Sequence, residues 1–300
     1  MILPNWLDAF EGGQVLLSEP LHMHTTFKIG GPADIFIVPA DAAALAQAVR
    51  LCRENDMQFF LLGKGSNVLF SDKGFRGAVI STERLRRVEA CCDGGVYAEA
   101  GAELKDVCDF ALSLGLEGLE FACGIPGSVG GATFMNAGAY DGELRQVVES
   151  VTVLLPNGSQ YDVSQSDMRF GYRQSRLQAE ESIALATVFR LSPGDKAEIA
   201  AKMKDLTQKR TSKQPLEDAS AGSTFKRPEG YFAGKLIMDA GLRGHRIGGA
   251  QVSEKHCGFV INAGGATAAE VLALIEHIRH TVHEQSGVWL EAEVRLIGEE

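Results

Sequence analysis

No two of the six cysteines (Cys52, Cys91, Cys92, Cys108, Cys123 and Cys257) stand in a C-x-x-C pair. That removes the zinc ribbon and the thioredoxin-type motif, and no metal site is expected. Their scatter suits reduced thiols serving as small core residues in a cytosolic protein. Positive charge is also scarce: 29 Lys and Arg stand against 39 Asp and Glu, a formal net charge of −10. A dedicated nucleic-acid binder is therefore not expected, although such a total leaves room for a local basic pocket that takes phosphates. No run reaches the ~18 apolar residues of a membrane span. The opening MILPNWLDAFEGGQ lacks a basic start followed by an apolar core, so no signal peptide is read and the expected location is the cytoplasm. Two nucleotide fingerprints are missing as well. In GKGSNV the G-x-G is present, but Val68 stands where a Rossmann loop has its third glycine, and no G-K-[ST] follows a P-loop spacer. Neither internal repeats nor low-complexity segments occur.

Glycine, by contrast, is abundant, at 34 of 300 residues. Its densest stretch is 118–143, GLEFACGIPGSVGGATFMNAGAYDGE, with Gly118, Gly124, Gly127, Gly130, Gly131, Gly138 and Gly142 around Pro126. An ordinary helix is not expected there, because each interior glycine costs about 1 kcal/mol against alanine. The stretch is too apolar for a disordered linker. Two explanations remain: a backbone that must approach an anionic or planar ligand closely, or a tightly packed set of turns in a β-rich core. The loop 63–67 poses the same choice. It follows the apolar run Phe59-Phe60-Leu61-Leu62, and its glycines with Ser66 and Asn67 suit either a nest of N–H groups around a pyrophosphate or a tight turn between strands.

The remaining pattern alternates short strands with helices, which makes an α+β chain with a sizeable core. A short helix and a connector are expected over 1–20, and a strand over 34–38 after the turn Gly30-Gly31-Pro32. Asp41 caps a helix to about Asn55 with Leu45, Val49 and Cys52 on one face. Short strands are read at 77–80, 87–90 and 96–100, then a helix over 103–114 closed by Gly115. Residues 149–155 form a strand leading into a hairpin turn at Pro156-Asn157-Gly158, and 183–191 another. Composition shifts after Pro193. A helix over 195–213 ends in Lys202, Lys204, Lys209, Arg210 and Lys213, for which a solvated face is the default reading. A loop AGSTFKRP, a helix over 232–240 and a strand over 259–262 follow. Thr267 with Glu270 forms a capping box for a helix to about Glu284, with Val271, Leu274, Ile275 and Ile278 inward. A final strand is expected over 288–297.

Taken together and in order, HTTFKIGG, LGKGSNVLF, GIPGSVGGATFMNAGAY, YRQS, AGSTFKRP, IGGAQVSEKHCGFVIN and LEAEVRLIG resemble the UDP-N-acetylenolpyruvoylglucosamine reductase family, in its shorter form, along nearly the whole chain. The resemblance implies a vanillyl-alcohol-oxidase-type FAD-binding region in two subdomains, 1–80 and 81–193, and an α+β substrate-binding domain over 194–300 whose last strand returns to the FAD region. It implies non-covalent FAD, NADPH as electron donor, and a monomer that reduces the enolpyruvyl ether of UDP-N-acetylglucosamine in peptidoglycan precursor synthesis. By motif position, Gly63, Lys64, Gly65, Ser66 and Asn67 would hold the FAD pyrophosphate. Gly124, Ile125, Pro126, Gly127, Ser128, Gly130, Gly131, Asn136, Gly138 and Ala139 would line the flavin. Arg173 resembles the arginine that clamps the substrate carboxylate, and Ser223 the proton donor, with Lys226 expected to polarise it. Glu293 resembles the third catalytic residue, and Glu291 competes for that place because positions two apart on a strand share a face. Lys213, Lys226, Arg227, Lys235 and His256 are the expected contacts to phosphates. Arg227 stands where longer-form relatives carry an amide.

Overall fold

In the computed structural model, residues 7, 9–91 and 94–298 are described. Cys92 and the first six residues of the expected N-terminal helix lie outside them. The chain forms two compact units. One comprises Met1–Leu16, Phe36–Lys64 and Ala78–Arg210, the other Leu17–Ile35, Gly65–Gly77 and Thr211–Glu300. The divisions do not follow the composition shift after Pro193. Three of them fall inside strands of a four-stranded sheet ordered Gly13–Pro20, Pro32–Pro39, Phe75–Ser81, Phe59–Leu62. The strand Gly13–Pro20 takes the place of the connector expected there, because a place in a sheet outweighs a weak local preference.

The first unit is built on a five-stranded antiparallel sheet. Its order is Gln160–Ser164, Val148–Leu154, Ile183–Arg190, Gly95–Glu99, Val88–Cys91. The hairpin predicted at Pro156-Asn157-Gly158 joins the first two, with Gly158 at φ 85°. Alternating Val151, Val153, Ala184 and Ala186 pack with Val107, Cys108 and Ala111 of the helix Leu104–Leu114, which ends at Gly115 in the left-handed conformation. The glycine stretch does contain a helix after all, Val129–Met135. Ser128 caps it through the Gly131 N–H, and the N–H groups of Val129 and Gly130 bond to Ala102 and Ala100. Gly130 is required because a Cβ there would lie 2.9 Å from the Ala100 Cβ. The lost propensity is offset by tertiary hydrogen bonds. In the same unit Asp41 caps the helix Ala42–Glu54, which buries Leu45, Val49 and Cys52 as expected.

A second core fills the other unit. The helix Ala268–Ser286 turns Val271, Leu274, Ile275 and Ile278 onto a sheet ordered Ala219–Ser220, Val260–Asn262, Ala250–Val252, Arg246–Ile247, joined by Ile237 of the helix Ala233–Asp239. The final segment is not one strand. Around Ala292 it bridges to Phe225, and only Arg295–Ile297 forms a strand, parallel to Val68–Phe70. It changes partner midway, which breaks the alternation that the sequence suggests.

The long helix of this unit starts with more than its capping box. Thr267 and Glu270 exchange both bonds of the box. Asp72, 196 residues away in sequence, accepts from the Ala268 N–H at 2.7 Å and the Ala269 N–H at 3.0 Å. All four N-terminal donors, the N–H groups of Thr267, Ala268, Ala269 and Glu270, are thereby satisfied. Replacing Asp72 by Ala is expected to cost about 1–2 kcal/mol, with Asp72→Asn intermediate, as read by urea unfolding followed through far-ultraviolet circular dichroism.

Candidate functional site

The expected site residues divide between the units. In the first lie Gly63, Lys64, the loop from Gly124 to Gly131, Asn136, Gly138, Ala139 and Arg173. In the second lie Gly65, Ser66, Asn67, Lys213, Ser223, Lys226, Arg227, Lys235, His256 and Glu293.

In the first unit Arg173 sits at the corner of a tight turn closed at both ends. The Gly171 N–H donates to the Gln174 carbonyl at 3.0 Å, and the Gln174 N–H to the Gly171 carbonyl at 3.2 Å. Arg173 has φ 57°, a left-handed conformation costing a side-chain-bearing residue about 1–2 kcal/mol. The surroundings impose it. Asn136 Nδ2 donates to the Gly171 carbonyl at 2.9 Å, and Gln178 Nε2 to the Arg173 carbonyl at 3.1 Å and the Phe134 carbonyl at 2.9 Å. The guanidinium lies over the Tyr172 ring, 5.1 Å from its centre. Asn136 is thus a strut. It is buried, gives its second amide hydrogen to Glu143 at 2.9 Å, accepts from the Arg145 N–H at 3.0 Å, and has no donor left for a ligand. Gln178 went unread in the sequence; only its place five residues after Arg173 marks it.

The glycines of this unit fall into two sorts. Gly138 and Gly142 are demanded by packing, since a Cβ would lie 2.5 Å from the Gly142 carbonyl oxygen or 2.4 Å from the Phe121 ring. Around them Tyr140 and Asp141 take φ 51° and 64°, the geometry of a two-residue hairpin turn. Gly124 and Gly131 are different. A Cβ on Gly131 would meet only the Ser128 hydroxyl at 3.5 Å, and one on Gly124 only the Arg210 side chain at 3.0 Å. Among the described residues, the backbone N–H groups of Gly124, Gly127 and Ser128 find no acceptor, and neither do those of Gly63 and Lys64. The Lys64 ammonium pairs with Glu103, both half exposed, a contact worth about 0–1 kcal/mol that a phosphate would readily displace. Sequence reasoning also left Arg210 on a solvated face, yet its Nε is buried and bonded to nothing.

In the second unit Ser223 precedes a segment that pairs with the C-terminal one. The Glu293 N–H donates to the Thr224 carbonyl at 2.8 Å and the Lys226 N–H to the Glu291 carbonyl at 2.9 Å. Asn67 Nδ2 reaches the Glu293 carbonyl at 3.3 Å. Ser223, Glu293 and the end of the glycine loop therefore come together. Gly222, at φ 75°, has only the Ser66 carbonyl oxygen at 4.0 Å from its Cβ position. The N–H groups of Gly65, Ser66 and Asn67 donate to no described residue, and Gly65 is buried. Buried backbone donors without acceptors are rare, so these mark a place for an external acceptor. Ser223 is exposed and Glu293 half-buried, whereas the Glu291 side chain is 71% exposed and pairs with Lys226. The Lys226 cation therefore sits in an ion pair rather than alone beside Ser223.

The other expected contacts are scattered over this unit. Arg227 stacks on Phe232 at 4.1 Å, and Lys235 pairs with Asp239 one turn along its helix at 2.7 Å. Lys213 is exposed at the end of its helix. The His256 ring is wedged between Gly234 and Gly258, whose Cβ positions lie 3.0 and 2.9 Å from its Cε1. Its Nδ1 accepts from the Gly258 N–H at 3.1 Å, which puts the proton of the neutral ring on Nε2. Burial lowers its pKa below the ordinary 6.5, partly opposed by a backbone hydrogen bond.

The unspent donors of the two glycine loops and the orphan Arg210 Nε suit an anionic cofactor such as FAD. Comparison with known proteins agrees. A model described as an FAD binding domain matches residues 33–164. One described as the C-terminal domain of UDP-N-acetylenolpyruvoylglucosamine reductase matches 214–297. Relatives of that name from Clostridium botulinum strain 657 and Clostridium beijerinckii are 49% and 50% identical, over 98% and 97% of this chain and 95% of each of theirs. The crystal structure of the Thermus caldophilus enzyme superposes with a TM-score of 0.81 at 33% identity, covering 95% of this chain and 98% of that one. The expected fold class, an FAD-binding region with a C-terminal α+β domain, is borne out. Among the described residues no helix is long and apolar enough to cross a membrane.

Two outcomes follow from the geometry. Because glycine tolerates φ 57° and alanine does not, Arg173→Gly is expected to be more stable than Arg173→Ala by about 1 kcal/mol in chemical unfolding. His256 is depressed in the folded state, so its contribution to stability is complete above 6.5 and is lost as the pH falls through the folded pKa. Unfolding free energy measured from pH 7.5 down to 5 should fall more steeply for the wild type than for His256→Gln.

Proposed function

The chain belongs to the UDP-N-acetylenolpyruvoylglucosamine reductase family, and from that premise we propose that it is an FAD-containing, NADPH-dependent oxidoreductase of peptidoglycan precursor synthesis. Its product is UDP-N-acetylmuramate, so its work serves cell-wall biogenesis and, through it, cell shape and division. We assign it to the cytoplasm, as a monomer acting on small nucleotide ligands. The observation that carries the reading is the pairing of 224–226 with 291–293, which sets Ser223 and Glu293 on adjoining segments against the Asn67 end of the glycine loop.

The cofactor would lie on backbone N–H groups of 63–67 and of Gly124, Gly127 and Ser128, with Gly131 leaving it space. Bound there and first reduced by hydride from NADPH, which departs before the sugar nucleotide binds, the reduced flavin would supply that hydride to the substrate. Arg173 holds the carboxylate of the enolpyruvyl group. The strain at its backbone keeps the guanidinium aimed, and its planar fork matches a carboxylate where lysine would not. Electron density that arrives with hydride on the terminal carbon flows toward that carboxylate, where Arg173 supplies positive charge and Glu293, in its protonated form, donates a hydrogen bond to the enolate-like state. Ser223 delivers the proton to the neighbouring carbon from one face. Lys213, Arg227, Lys235 and His256 are assigned to phosphates, His256 as a neutral donor through Nε2, and Lys226 once it leaves Glu291.

The visible spectrum of the purified protein tests this. A flavin spectrum that bleaches with anaerobic NADPH and returns on adding the enolpyruvyl sugar nucleotide is the expected result. Recovery with O₂ alone would make the protein an oxidase, and flavin that NADPH never bleaches would make it a regulatory FAD binder. In stopped flow, Ser223→Ala should leave flavin reduction by NADPH intact and slow reoxidation by the enolpyruvyl substrate by about 10²–10⁴-fold. Equal slowing of both halves would take the proton transfer away from Ser223.

A further inference from the structure

Two cations of the helix Lys196–Lys213 are matched by carboxylates. Lys202 meets Glu120 at 3.2 Å and Lys209 meets Asp205 at 2.6 Å. Arg210 is not. No carboxylate pairs with it among the described residues, and its Nε is buried without a hydrogen bond. Its Cδ lies 3.0 Å from where a Cβ on Gly124 would be, with Nε at 3.9 Å from the same point. The Gly124 N–H is also unspent. Burial is the main influence on the guanidinium and pushes its pKa down, with Tyr140 and Cys123 opposing. On this half-buried cation, a buried Nε with no acceptor is costly unless a counter-charge arrives. Two independent donors converging at one glycine say where it arrives.

We propose that Arg210 faces the flavin ring at Gly124 and raises its electron affinity. The proposal rests on the reading that the glycine loops hold FAD. Uptake of hydride breaks a C–H bond of the nicotinamide, forms an N–H bond on the ring and adds one negative charge there. A fixed, desolvated cation stabilises that charge without reorganising. A guanidinium suits the task because it is always charged and its plane matches a flat heterocycle. The pyrophosphate is the other anionic part of the cofactor, and its charge is the same before and after reduction. A cation placed on it alters FAD affinity and leaves the reduction potential where it was.

The test uses the FAD-reconstituted protein with Arg210→Gln and Arg210→Lys. The readouts are FAD affinity by flavin fluorescence, reduction potential by equilibration with a reference dye, and affinity for sulfite, whose addition to the ring also needs a cation nearby. R210Q is expected to hold FAD at a lower potential than wild type and to bind sulfite about tenfold more weakly or worse, with R210K in between. An unchanged potential and sulfite affinity in R210Q overturns the proposal, and if FAD affinity alone falls, Arg210 belongs to the pyrophosphate. Should R210Q not retain FAD, a potential of R210K equal to wild type overturns it and a lowered one supports it. Wild-type protein that binds no FAD would remove the cofactor reading itself.

Discussion

A buried backbone donor must find an acceptor, and much of the architecture of this chain follows from that requirement. The helix inside the glycine stretch exists because Ala100, Ala102 and Ser128 take its first N–H groups. The long helix of the second unit is anchored because Asp72 reaches it from a distant loop. Against this background the exceptions carry the meaning. Donors at 63–67, at Gly124, Gly127 and Ser128, and on Arg210 lack acceptors. They are also where the family resemblance expects an anionic cofactor.

The glycines separate by the same logic. At Gly65 and Gly142 a Cβ would collide with the protein's own atoms, 2.1 Å from the His24 carbonyl oxygen and 2.4 Å from the Phe121 ring. Such glycines let elements pack closely. Gly131 and Gly222 have almost nothing at the Cβ position. Tight packing thus accounts for Gly65 and Gly142, whereas Gly131 and Gly222 leave the open space that ligand approach would require.

Strain and support are paired at the candidate catalytic residues. Arg173 occupies a backbone region unfavourable to it, and the side chains of Asn136 and Gln178 hold its turn in place. Ser223 and Glu293 are carried on segments locked by main-chain bonds to each other and to Asn67. In both units the candidate group is held by hydrogen bonds of its own segment, which is how a site could keep its geometry without help from a substrate.

Local signals were legible from the residues alone. Asp41, the Thr267–Glu270 box, Gly115 and the Pro156-Asn157-Gly158 turn each act through neighbours a few positions away, and each structures the chain as its sequence predicts. The ordered motifs identified the family and with it the candidate site. What sequence did not determine depends on partners far along the chain. Gly13–Pro20 becomes a strand because a sheet receives it, and the C-terminal segment divides because Thr224 and Asn67 take it in turn. Asn136 becomes a strut and Arg210 a cation with a buried, unbonded Nε for the same reason: hydrogen bonding and desolvation are set by what tertiary structure brings near, which no local pattern encodes.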